Sequence, residues 1–471
     1  MITLTLYEYV QSIRDKRIAV IGAGVSNMPL IRLLSENNCS VTVCDKRTLD
    51  ALGKVGEELS ALHAELKLGE DYLEGLDHDL IFRTPGLMPF DEHLVAAKEK
   101  GSIVTSEMEV FFRLCPCRTI AVTGSDGKTT TTTVISELLK AAGYTVHLGG
   151  NIGHPLLCDV PQMKQDDIAV LELSSFQLHS MSCRPNVAVV TNISPNHLDK
   201  HKDYQDYIYA KMSIFARQEH SDKLVLNSDD EHAPYYAAHA KSNIVYFSNR
   251  TAVENGAYCL GGELFRVHDG KAKKIMDKED IRIPGEHNVL NYLTAFCATD
   301  GLVDDETCRS VAISFGGVEH RLEHVRTLGG VLFINDSIAS SPTRTAAGLR
   351  AMKRKPIIIV GGYDKHIAFD GLGDDLCRYA KKVFITGDTA EKIRAAIVGS
   401  SLYAESPVPF ERIDDFRDAV CAAARFAEDG DIVLLSPACA SFDHFKNFAE
   451  RGNTFKKIVT ELKNEDIGNH D

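Results

Sequence analysis

The sequence predicts an α/β protein built on parallel sheets and divided into three domains. Short β-branched runs alternate with helical stretches, the pattern that strand–helix–strand units produce. A strand, a glycine loop and a helix follow one another three times, starting near Arg17, Arg118 and Val331. The 471 residues also exceed one ordinary core, at ~100–200 residues per domain. An apolar fraction of 44% with 25% charged residues excludes disordered and fibrous classes.

The first unit runs from the strand Arg17–Gly22 through the loop GAGVSN into a helix ending near Asn37. A second strand, SVTVCD, then ends at Asp45. The second unit has the strand Arg118–Val122, the loop TGSDGKTT and a helix through Ala142. The third has strands Val331–Asn335 and Lys355–Val360, with helices Thr343–Met352 and Leu372–Lys381. Strands at 383–387 and 431–438 follow, and a closing helix near 441–463. Boundaries near Ser106 and Gly316–Val318 give domains of 1–106, 107–317 and 318–471.

Net charge is −14, so the chain has no general attraction to nucleic acid or to an anionic membrane. With no Trp and 7% aromatics, base stacking is a poor prospect. No window approaches the ~20 apolar residues of a membrane span. The N-terminus lacks a basic segment followed by an apolar run, and the twelve cysteines are scattered. These features predict a cytoplasmic protein with reduced, mostly packed thiols. An acidic chain that binds polyanions must use local devices: helix ends, backbone N–H groups and metal ions.

One such device is Thr123–Thr129, TGSDGKT, between an apolar strand and a helix. There backbone N–H groups and the helix dipole hold phosphate, Lys128 reaches the terminal phosphates, and the Thr129 hydroxyl ligates Mg²⁺. Val122 replaces the first Gly of the common GxxxxGK[ST] pattern. Glu172 and His197 end or follow neighbouring strands, at the sheet edge where α/β proteins bind ligands. A carboxylate on an apolar strand is costly unless paired or metal-bound. Alone, His197 reads as a capping histidine; beside the loop and Glu172 it reads as a ligand.

TGSDGKTTT, GGNIG (149–153), ELSSFQL (172–178), TNISPNHLDKH (191–201) and YIYAK (207–211) together resemble the central domain of the Mur ligases. DSIASSPTRT (336–345), GGYDK (361–365) and LSPACASFDHFKNFAERG (435–452) resemble that family's D-glutamate-adding branch. The resemblance implies a Rossmann-like N-terminal domain, a central P-loop ATPase-like domain and a C-terminal Rossmann-like domain. It implies ATP-dependent joining of D-glutamate to UDP-N-acetylmuramoyl-L-alanine through an acyl phosphate and a tetrahedral intermediate. ADP and phosphate are released, in cytoplasmic peptidoglycan precursor synthesis. It also implies two Mg²⁺ ions, a monomer, and closure of the domains on substrate.

By motif match, the resemblance places Gly124, Ser125, Asp126, Gly127, Lys128, Thr129 and Thr130 at the ATP phosphates. Asn291 lies on the adenine side, with His287 and Asn288 less firmly matched; Arg321 and Asp336 lie near the nucleotide and its ribose. Thr129 and Glu172 hold one metal ion. His197 and a carbamylated Lys211 hold the second; the residues alone would make Lys211 a solvated helix lysine. Val25 and Ser26 flank the UDP diphosphate, Asp45 and Arg47 the uridine, and Thr84 and Gly86 line the same site. Asn151 and Ser174 lie near the muramoyl-alanine end. Lys365, Ser441, Phe442 and Phe448 bind D-glutamate, with Ser340 a weaker match. For the Ser and Phe positions, helix capping and core packing are the plain alternatives.

Ile338 stands where many members carry a lysine, which removes an expected cation. Three other readings compete. One is a related ligase with another donor, such as a folate; a second is a nucleotide-binding regulator without turnover. The third is an NAD enzyme resting on GAGVSN, where Asn27 replaces the third Gly. Cys439, inside the most diagnostic motif, reads as a packed thiol and not a nucleophile.

Overall fold

The computed structural model describes residues 4–197, 200–268, 270–283, 285–352, 354–364 and 368–468. They form two compact units, Met1–Ser314 and Phe315–Asp471. Each unit is mixed α/β with mainly parallel strands.

The first unit holds two sheets. One contains β1 (Arg17–Ile21), β2 (Ser40–Asp45), β3 (Glu65–Leu68), β4 (Leu80–Phe82) and β5 (Ile103–Thr105). Their order is β3-β2-β1-β4-β5, all parallel. The other contains β6 (Arg118–Thr123), β7 (Val146–Gly150), β8 (Ile168–Glu172), β9 (Val187–Val190), β10 (Lys223–Asn227), β11 (Asn243–Ser248), β12 (Gly256–Leu260), β13 (Glu263–His268) and β14 (Lys271–Asp277). Their order is β14-β13-β12-β11-β10-β9-β6-β8-β7, parallel except at β12-β13-β14.

The second unit has one sheet: β15 (Glu323–Leu328), β16 (Val331–Asn335), β17 (Ile357–Gly361), β18 (Lys382–Thr386), β19 (Phe410–Arg412) and β20 (Ile432–Leu435). Their order is β15-β16-β20-β17-β18-β19, and only β15 runs antiparallel.

Parallel strands are buried on both faces, so they read as unbroken apolar runs. In β17, Ile358 and Val360 pack into one core, and Ile357 and Ile359 into the other. β1 divides likewise, Ile18 and Val20 against Ala19 and Ile21. In each sheet the chain continues to both sides of one early strand. The crevice beyond that strand's carboxyl end is where ligands bind in such sheets. GAGVSN follows β1, and TGSDGKTT follows β6.

The closing helix is shorter than expected. It spans Phe448–Glu461, and Asn447 caps it by accepting a hydrogen bond from Glu450 N at 2.9 Å. Ser441 therefore lies in the preceding loop, whose polar groups bond outside any helix. The antiparallel edge β12–β14 was not foreseen.

Candidate active site

The phosphate loop is held from behind by the segment after β9. Ser125 N donates to Asn192 O at 2.8 Å and Asp126 N to Asn192 Oδ1 at 2.9 Å. Thr191 Oγ1 donates to Asp126 O at 2.6 Å. The Ser125 hydroxyl lies 2.9 Å from both Ser194 O and the Tyr207 hydroxyl. Gly124 and Gly127 have φ of +149° and +76°. A Cβ at Gly124 would overlap Thr191 Oγ1, and one at Gly127 would meet Asn291 Oδ1. Only glycine suits that backbone and those approaches. Val122 is fully buried in β6, so the loop's first turn is set by a core strand residue instead of a glycine.

Gly127 caps the helix Lys128–Ala141, whose N-terminus opens on the loop. Thr129 and Thr130, in its first turn, are half-buried. Lys128 Nζ curls back to Gly124 O at 3.0 Å and Ser125 O at 2.9 Å. Lys211, on the helix Tyr204–Met212, reaches the same carbonyl from the other side. Its Nζ donates to Gly124 O at 2.7 Å and lies 4.7 Å from the Tyr207 ring centre. Lys211 is 1% exposed. Burial, reinforced by the neighbouring Lys128 charge, holds its amine well below the ordinary lysine range. The solvated lysine that the bare sequence suggested is thus a buried, easily deprotonated amine.

Glu172 ends β8, likewise 1% exposed. Its Oε1 accepts from Asn151 Nδ2 at 2.8 Å, while the buried Oε2 has no hydrogen-bond partner. An orphaned buried carboxylate oxygen is expensive and fits a cation. Asn151 N also donates to Glu172 O at 2.8 Å. Ser174 caps the short helix Ser175–Leu178 through a reciprocal box with Gln177. His197 is exposed, with φ +55°, and its ring lies 5.0 Å from that of Phe176.

Behind His197 the sequence reasoning missed a polar chain. Asp206 accepts from His179 Nε2 at 2.8 Å and from His201 Nδ1 at 2.9 Å; His201 Nε2 faces Ser175 Oγ at 2.9 Å. These three are the described His, Cys, Asp and Glu side chains grouped closely enough for a metal ion, yet their atoms are committed to one another. The signal was available, because His201 follows His197 by four residues and Asp206 follows Asp203, the helix cap, by three.

Asn291 is buried; its Oδ1 accepts from Thr131 Oγ1 at 3.2 Å and its Nδ2 donates to Asn288 at 3.1 Å. It therefore braces the helix that begins at the phosphate loop. Burial lowers the pKa of neighbouring His287.

Beyond β1, Ala23 N donates to Oδ2 of Asp45, the last residue of β2, at 2.8 Å, and Arg47 binds both carboxylate oxygens at 2.8–2.9 Å. Burial alone would raise this carboxyl; the hydrogen bonds from Arg47 and Ala23 outweigh it and hold it low. Asn27, in place of the third Gly, is buried, and its Nδ2 donates to Ile21 O at 2.9 Å and Gly22 O at 3.2 Å. It ties the loop shut with a side chain where a glycine would give close backbone packing. Val25 and Ser26 are exposed at the tip, and Thr84 packs against Gly22. Gly86 is exposed, two residues further on.

In the second unit, Asp336 follows β16. Its Oδ2 accepts from Ser436 Oγ at 2.8 Å and its Oδ1 from Leu322 N at 3.2 Å. Burial pushes the carboxyl up to about 7. Arg321 and Arg344 oppose that shift. Arg344 also reaches Ile338 O at 3.4 Å, so a cation is present near the position where the family lysine is missing. Ser340 is half-buried.

His320 is buried with φ +63° and Nδ1 3.0 Å from Asn335 Nδ2; burial lowers its pKa. Ser441 is buried, and Phe442 and Phe448 are exposed. The Phe442 ring meets Tyr363 edge-on at 5.9 Å, and Phe448 meets His320 at 5.9 Å. Lys365 lies outside the described residues. Cys439 is buried, and burial raises its thiol to about 11, as a packed thiol requires. All twelve cysteines are free.

The model of the Mur ligase middle domain matches residues 122–299, and that of the Mur ligase glutamate ligase domain matches 320–439. The chain belongs to the Mur ligase family. Members are ATP-dependent ligases, and the chain is an enzyme of that kind. Among relatives, it is 48% identical to the UDP-N-acetylmuramoylalanine–D-glutamate ligase of Acetivibrio thermocellus, covering 97% of this chain and 99% of that one. It is 46% identical to the enzyme of the same name from Clostridium novyi, again covering 97% and 99%. In fold it is similar to the UDP-N-acetylmuramate–alanine ligase of Thermotoga maritima, at a TM-score of 0.55 and 17% identity, over 95% and 99% of the two chains. The three-domain plan of Mur ligases accords with the three sheets here. No described helix is long and apolar enough to cross a membrane.

Proposed function

We propose that this Mur ligase joins D-glutamate to UDP-N-acetylmuramoyl-L-alanine at the expense of ATP, in peptidoglycan precursor synthesis. What carries the reading is 48% identity across nearly the whole chain to a ligase of that name, with a buried, half-satisfied Glu172 beside the phosphate loop. The proposed domains are 1–106 for the UDP portion, 107–317 for ATP and 318–471 for the acceptor.

A carboxylate is a poor acyl donor, so it must first be activated. The donor's alanyl carboxylate oxygen attacks the γ-phosphorus of ATP, the bond to the ADP oxygen breaks, and ADP leaves. The D-glutamate amine then adds to the acyl carbon. The tetrahedral intermediate loses a proton from nitrogen and expels phosphate, leaving an amide. Anions must meet in line, so the site's task is positioning and charge neutralisation.

The N–H groups of Gly124–Thr130 cradle the ATP phosphates, and Lys128 exchanges its loop carbonyls for phosphate oxygens. Arg321 and Asp336 meet the nucleotide, and Asn291 supports its adenine side. Glu172 Oε2 and the Thr129 hydroxyl would hold one Mg²⁺; His197 and Lys211, as its carbamate, would hold another. Bound there, Mg²⁺ supplies charge neutralisation at the transferring phosphoryl group. The Lys211 amine, whose pKa burial lowers, suits carbamate formation: once deprotonated, its nitrogen adds to CO₂ and releases a proton. Val25, Ser26, Asp45, Arg47, Thr84 and Gly86 hold the UDP end, and Asn151 and Ser174 the muramoyl-alanine end. Ser441, Phe442, Phe448 and Lys365 receive D-glutamate.

The test is phosphate release by the purified chain with ATP, Mg²⁺, UDP-N-acetylmuramoyl-L-alanine and each candidate amino acid. Release with D-glutamate alone is expected. Release with another amino acid only, or with a folate donor, overturns the substrate assignment.

A further inference from the structure

Arg83 directly follows β4 and precedes the loop carrying Thr84 and Gly86. It is 2% exposed. Its Nη1 donates to Leu87 O at 3.0 Å and Thr84 O at 3.3 Å, both in its own loop. Its Nη2 crosses to Phe176 O at 2.8 Å and Gln177 O at 3.4 Å, and its Nε to Ser180 Oγ at 2.9 Å. Those partners belong to the helix Ser175–Leu178 and the turn after it, immediately following Ser174.

Among the described hydrogen bonds and ion pairs, no carboxylate accepts from this guanidinium. Burial pulls its pKa down to about 10, so it still carries charge at neutral pH. A buried ion without a directly bonded counter-ion is costly. A methionine of similar length would fill the space more cheaply. Only a rigid fork of N–H donors can hold two backbone segments at one fixed separation. The cavity beside it is lined by Ser26, Pro85 and Glu107 together with Gly150 and Gln177.

We propose that Arg83 is a positioning residue that sets the distance between the Thr84–Gly86 loop and Ser174. A ligand with a nucleoside diphosphate at one end and a carboxylate at the other then meets both ends in register. This rests on the donor assigned above. The latch does not touch the donor; it makes the two half-sites one site. The energy of binding the UDP end is thereby used to place the distant carboxylate.

The test is calorimetric titration of the full-length chain and its Arg83→Lys and Ser180→Ala variants, with UDP and with UDP-N-acetylmuramoyl-L-alanine. UDP touches one half-site only. Arg83→Lys is expected to bind UDP within twofold of the parent and the full donor at least tenfold more weakly. Ser180→Ala, which removes one strand of the latch, should weaken the donor about threefold and leave UDP unchanged. Parallel weakening of both ligands means that Arg83 only supports its own loop, and overturns the proposal. So does an unchanged donor affinity. If Arg83→Lys does not fold, the same two criteria apply to Ser180→Ala. A parent chain that binds UDP but not the donor overturns the donor assignment instead.

Discussion

Lys128 and Lys211 converge on one carbonyl, Gly124 O, and Lys128 brings the positive charge to where phosphate is to sit. Replacing Lys128 with Ala should cut phosphate release at least 100-fold, about 3 kcal/mol or more in the transition state. The fold should survive, because the Lys128 side chain is half-exposed and packs no core. Steady-state kinetics with a thermal melt checks both parts; full activity in this variant refutes the phosphate-loop assignment.

Asp336 gives a second, opposite kind of prediction. Its folded carboxyl sits near 7 against an ordinary value of 3.8. Between those values the native state holds a proton that the unfolded state lacks, so stability falls as pH rises through this window. Above pH 7 the buried charge is a liability. Asp336→Asn should therefore flatten the pH dependence of stability between pH 5 and 8. The variant's stability relative to the parent should rise by roughly 2–3 kcal/mol from pH 5 to pH 8 by linkage. Urea midpoints at the two pH values decide it; parallel curves for variant and parent would falsify the burial argument. Activity should drop in the same variant, since the carboxylate is proposed to meet the nucleotide.

At the scale of elements, the loop between β6 and its helix is the most constrained. Gly127→Ala would force φ +76° on a residue with a Cβ, and that Cβ would press on Asn291 Oδ1. The strain costs about 1–3 kcal/mol. We expect a lower melting temperature and loss of ATP affinity together, measured by calorimetry. Retained ATP affinity would show that the loop tolerates the shift.

Elements of this kind were legible in the sequence, because a loop that must bind phosphate advertises itself through glycines, Lys-Thr and an apolar strand before it. Glu172 was legible for the same reason: a carboxylate on a fully apolar strand has no structural excuse. Lys211 was not. Its burial depends on Tyr207 one turn earlier and on Gly124, 87 residues away, and only the family resemblance singled it out. Arg83 was invisible, because its partners lie 93–97 positions on and are mostly backbone carbonyls, which no side-chain pattern encodes. The closing helix starts at Phe448 and not near 441, because Asn447 does the capping. The β12–β14 edge was missed although Asp269-Gly270, between two short alternating runs, is a hairpin signal.

At the scale of the whole molecule, each compact unit has its own core: the apolar clusters around β1 and β6 in one, and those on both faces of the β17 sheet in the other. Chains with separate cores need not unfold in one step. A ligand held by one unit stabilises that unit by RT ln(1 + [L]/Kd), about 2.7 kcal/mol at a hundredfold excess over Kd. The residues proposed for UDP all lie in Met1–Ser314, so scanning calorimetry should resolve two transitions. UDP at a hundredfold excess should raise one of them by several degrees and leave the other in place. Asp45→Ala should abolish that shift, because Asp45 fixes both Ala23 N and the Arg47 guanidinium. A single transition, or equal movement of both, would mean that the two units unfold as one cooperative block. The independence inferred from their separate cores would then be wrong.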